Sequence, residues 1–309
     1  MPQQLFVFLQ LEYPWALGPT DGRYLLRDGP DGEPEHVVVF ETLTAEGRRA
    51  PSSEELGGAW LLGRTRRPRE RDAAPEPAPT GVQTTRVTVI DPVPLSAETQ
   101  ARAWLEDLDR EREVREAVTT VNRVVHLHRI AAADPYVREV SVEQALVIRA
   151  GWGEGEQVAS GLWLHARELS LRRRRRSPRR RDRTWALRPQ ERLAALLGGR
   201  SGSLLCEELV LRVRLDFDQG RPAHAAVGLD RALALAVAEL GAEGRQDLSL
   251  RIAELDQLRG PVEAQAQAAL EQAGAGAEAD GAAPPDPEVV EHALGRLEAA
   301  LRARTAAGV

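Results

Sequence analysis

LFVFLQLEY, residues Leu5–Tyr13, is the stretch whose reading decides the fold. Leu9 and Leu11 fall on one side of an extended chain and Gln10 and Glu12 on the other, the period of two of a half-buried β-strand. Downstream, GRYLLR and HVVVFETL flank DGPDGEPE, whose Asp, Gly and Pro residues favour turns, so a hairpin is expected. AWLLG near Trp60 and RVTVI from Arg86 to Ile90 would add two strands, for a small antiparallel sheet or open barrel of roughly four to five strands. Between them Arg64–Gln83 is rich in Arg, Pro and Glu, with too little apolar material to bury, and reads as a linker. RVTVI lies beyond it and belongs either to the first module or to the next.

From Ser96 the period becomes helical. Ser96 is the expected N-cap, Val114, Val118, Val121 and Val125 form a stripe, and Asp134-Pro135 ends the helix. SVEQ at Ser141–Gln144 offers a capping box for a second helix through ALVIRA, stopped by the glycines of GWGEG, and GLWLHAREL alternates like a strand. Pro189 and Gly198-Gly199 bracket a helix of about ten residues. LVLRVRLDFD, residues 209–218, alternates Leu211, Val213, Leu215 and Phe217 with Arg212, Arg214, Asp216 and Asp218, and is read as a strand able to pair with GLWLHAREL. In the helix that follows, Ala225, Leu229 and Ala232 are spaced in a way that resembles a tetratricopeptide repeat. No second copy occurs at a period of about 34, so it is read as a single amphipathic helix. After the low-complexity GAGAEADGAAPPDP, Asp286 caps a last helix with Pro287 in its first turn.

The fold class is therefore α+β. The expected layout is a β-rich module at 1–63, a charged linker at 64–84, a mixed α/β region at 85–171, an Arg-rich loop at 172–184, a mostly helical region at 185–272 with a strand near 209–218, a linker at 273–286 and an amphipathic helix at 287–305.

Composition narrows the function classes. The 309 residues are 42% hydrophobic and 28% charged, ordinary for a globular protein, with a formal charge of −6. All 41 basic residues are arginine, and asparagine occurs only at Asn122. Without lysine, Schiff-base and pyridoxal chemistry and the GxxxxGK[ST] phosphate loop are excluded within this chain. A lone cysteine, Cys206, rules out an intrachain disulfide, a CxxC pair and a cysteine metal cage, and LLCEEL reads as a buried setting for it. No run approaches the roughly 18 apolar residues of a membrane helix, and the opening MPQQLFVFLQLEYPW lacks a basic region, so the expectation is a cytoplasmic chain without a membrane partner.

Several stretches invite a chemical reading. RRRRRSPRRRDR concentrates Arg172, Arg173, Arg174, Arg175, Arg176, Arg179, Arg180, Arg181 and Arg183 with one aspartate, a local charge of +8 that leaves −14 on the other residues. Guanidinium groups fork onto phosphates, so this run is the candidate for binding nucleic acid or another anion, although no aromatic side chain is interleaved for base stacking. His126 and His128 stand two apart in a helical pattern, about 200° around the axis, and so do not share a metal ion. GWGEGEQ, Gly151–Gln157, lacks phosphate-loop spacing, while Glu154 and Glu156 would suit acid/base work or a cation. Val290, Leu294, Leu297 and Leu301 form the apolar stripe of the last helix, which must bury against the body of the chain or against a partner.

With no catalytic motif, cofactor signature or metal-ligand spacing, the weight of the sequence falls on a non-enzymatic protein-interaction or scaffold protein. It would act through its C-terminal helices on a protein partner or a second copy. The alternatives are sequence-independent nucleic-acid association through Arg172–Arg183 and, behind it, an enzyme using the carboxylates near Gly151–Gln157.

Overall fold

A computed structural model describes residues 4–27, 32–44, 83–170, 180–275 and 283–306. The chain is α+β and divides into two compact units, Met1–Arg173 and Arg174–Val309. AWLLG near Trp60 and most of the Arg64–Gln83 stretch lie outside the described residues.

The first unit is built on a six-stranded antiparallel sheet. Its strands are β1 (Leu5–Tyr13), β2 (Gly22–Arg27), β3 (Pro34–Thr44), β4 (Gln83–Ile90), β5 (Val147–Glu154) and β6 (His165–Glu168), in the spatial order β2-β3-β4-β1-β5-β6. The alternation of β1 sets the layering. Leu5, Val7, Leu9, Leu11 and Tyr13 enter the core under α1 (Glu98–Glu106) and α2 (Arg110–Ala132), while Phe8 joins a smaller cluster on the opposite face with Val37, Ile90 and Val158. The hairpin of β2 and β3 forms as expected. RVTVI becomes the second half of β4, which pairs with β3 and β1. The regions expected separately as 1–63 and 85–171 therefore share one sheet, because β1 has two edges to satisfy and takes β4 on one and β5 on the other.

Two helical expectations are corrected here. The helix expected from Ser96 is two helices, broken where Asp109 caps α2 by accepting from the Arg112 N–H at 3.2 Å; Ala97, not Ser96, precedes α1. The valine stripe of α2 is buried as read, and Ala133, at φ +51°, ends the helix before Asp134-Pro135. The SVEQ box does form, with the Ser141 N–H donating to Gln144 Oε1 at 2.8 Å, but it closes a single 3₁₀ turn, and VIRAGWGE beyond it is a strand. Ile148, Ala150 and Trp152 face the core with period two. Gly151 and Gly153, read as helix stops, instead let the chain beyond β5 fold back onto the sheet. A Cβ on Gly151 would collide with the His165 backbone, and one on Gly153 would stand 2.6 Å from Val158 Cγ1.

The second unit is helical. α4 (Leu205–Asp218), α5 (Pro222–Ala242), α6 (Ser249–Ala275) and α7 (Pro287–Ala306) form a bundle, with α3 (Arg180–Leu197) preceding it. α5 carries Ala225, Ala226, Leu229, Ala232, Leu233, Ala236 and Leu240 into the core, and its small residues allow close approach: a Cβ on Gly228 would lie 2.8 Å from Val213 on α4. α3 runs through Pro189 instead of starting at it.

Among the described residues no helix is long and apolar enough to cross a membrane.

Candidate interaction surface

LVLRVRLDFD is helical, not a strand, and the difference creates the surface. At helical spacing Cys206, Val210, Val213 and Phe217 turn inward, while Leu211 and Leu215, which a strand would have placed with Val213 and Phe217, turn to the opposite side. Glu207 and Glu208 favour the helix start, where amide protons are unsatisfied. Glu207 accepts from the Leu204 N–H at 3.0 Å, and Glu239 of α5 accepts from the N–H groups of Leu205 and Cys206 at 2.9 and 3.0 Å.

These contacts set the local titration. Burial presses the Glu239 carboxyl upward, but hydrogen bonds from Cys206 and Leu205 and the charge of Arg304 outweigh it and hold the group low. A carboxylate held low stabilises the folded state above the unfolded value of ~4.3, and that contribution is lost as pH falls through the lower folded value. Cys206 is buried, and burial together with Glu239 pushes its thiol up to about 12, away from nucleophilic use.

On the outer side, Leu211 is 68% exposed, Leu215 40% and Leu205 59%. Ser203, Leu204, Leu205, Glu207, Glu208 and Leu211 line a 470 Å³ groove at the N-terminal end of this face. The Glu208–Arg212 pair, 3.1 Å apart, frames the leucines. α3 adds exposed Leu193 and Leu197, and Arg192 Nη2 donates to Glu207 at 2.7 Å.

The residues singled out from the sequence fall elsewhere. Arg172, Arg173, Arg174, Arg175, Arg176 and Arg179 lie outside the described residues; Arg180, Arg181 and Arg183 belong to the first turns of α3. Val290, Leu294 and Leu297 are fully buried in the bundle core and Leu301 packs against it, so this stripe is spent within the chain. Ion pairs fasten the same helix: Arg214–Glu298 at 2.8 Å, Arg304–Glu243 at 2.6 Å and Arg304–Glu207 at 3.3 Å. His126 lies with Nδ1 3.5 Å from Glu139 Oε1, and His128 sits under Gly18. Glu154 is exposed at the end of β5. No group of three His, Cys, Asp or Glu side chains able to hold a metal occurs among the described residues.

The sheet face away from the helices carries a charged row whose pairing the sequence did not reveal. Glu12 Oε1 meets Arg149 at 2.7 Å and Arg86 at 3.2 Å, Arg86 reaches Glu41 at 3.7 Å, and Gln10 donates to Thr88 at 3.0 Å and to the Ala159 carbonyl at 3.2 Å. Read from β1 alone, Gln10 and Glu12 look like a wet face; only the register with β4 and β5 brings the arginines alongside. Glu12→Ala would remove the carboxylate that two partly buried guanidinium groups share, leaving Arg86 with Glu41 at 3.7 Å and Arg149 with Gln10 Oε1 at 3.3 Å, and is expected to cost about 2 kcal/mol, less than a fully buried pair because water reaches the row. Denaturant unfolding followed by tryptophan fluorescence reads it, and an unchanged midpoint would show that the row contributes nothing.

No family model, curated protein or solved structure matches the chain.

Proposed function

We propose that this chain is a non-enzymatic protein-interaction module that docks its partner on the outer face of α4. One observation carries the reading: α4 has a second apolar stripe, Leu211 and Leu215 one turn apart, turned away from the core that its first stripe fills. Leucines scattered singly on a surface need no explanation, but here Leu205, Leu211 and Leu215 share one helix beside a groove, the arrangement that marks a docking site. The reading keeps the C-terminal helices as the interacting part of the chain and moves the contact from α7, whose stripe is buried, to α4.

Leu211→Glu combined with Leu215→Glu is expected to leave the thermal melt nearly unchanged, within about 0.5 kcal/mol as for other exposed positions, and to weaken partner binding at least about tenfold. Melting and affinity measured on the same preparations separate the two effects. A large loss of stability would assign the leucines to the fold and remove the proposal.

A further inference from the structure

We draw no further inference here: the strongest candidate, the 580 Å³ hollow beside the N-terminal end of α2 in the first unit, where Glu111, Glu143 and Glu168 rim a floor of Ala145, Ile148 and Leu169, is an exposed acidic cluster with no buried, unpartnered polar group among its lining residues to point to a ligand.

Discussion

Removal of residues 287–305 is expected to unfold the C-terminal unit, where a tethered arm would have left it intact. Val290, Leu294 and Leu297 are fully buried among side chains of the bundle, with Ala293 and Ala300 beside them. At roughly 1.5–3 kcal/mol for each large side chain taken out of water, the three together contribute about 5–9 kcal/mol. Whole domains are stable by about 5–15 kcal/mol, so the loss is of the size of the total. The deletion also removes Glu298, which Arg214 meets at 2.8 Å, and leaves that guanidinium the longer pairing with Asp218 at 3.4 Å. Circular dichroism melts of the full and truncated chains are expected to show the bundle transition disappear while that of the sheet unit remains. The milder Leu294→Ala is expected to cost about 2–5 kcal/mol by opening a cavity. A truncated chain that kept its bundle transition would show that α7 is not part of this core.

The second large effect is expected at Gly151. Its missing side chain leaves room for the backbone of β6: a Cβ there would collide with the His165 carbonyl and come within 2.8 Å of the Ala166 Cα. Backbone cannot swing aside as a side chain can, so Gly151→Val must part β5 from β6. The expected cost is about 3 kcal/mol or more, in the class of severe overpacking. Gly155 provides the contrast within the same sequence. It sits at φ +58° with nothing near its Cβ position, so Gly155→Ala pays only for the left-handed backbone, about 1 kcal/mol. Denaturant midpoints of the two variants rank the close approach against the backbone effect, and equal midpoints would contradict the packing argument.

What could be read from the residues, and what could not, follows from how far each signal reaches along the chain. The alternation of Leu5–Tyr13 and the valine stripe of α2 are local patterns facing one core, and both elements form where their periods place them. Asp286 and Pro287 mark the start of α7, and the Glu288 N–H donates to Asp286 at 2.9 Å. Val147–Glu154 defeats the same reasoning because its helix-start signal is real and forms a turn, yet the free edge of β1 recruits the following residues through pairing with a strand more than 130 positions earlier. LVLRVRLDFD defeats it differently. With apolar residues inward at helical spacing and outward as well, it satisfies both periods, and the helix wins because α5 and α7 supply the surface against which Val210 and Val213 pack. The outward leucines were in view from the start, but only the helical register shows that they share a side turned away from the core.

That side is tested most directly by placing a photo-crosslinking amino acid, p-benzoylphenylalanine, at position 211 of the full chain and irradiating its native cells, with the same probe at the exposed Arg259 of α6 as control. A discrete protein adduct at position 211 and none at 259 is the predicted result, with mass spectrometry telling a second copy from another protein. Equal, diffuse labelling at both positions, or none at either, would contradict the assignment of α4 as the docking face.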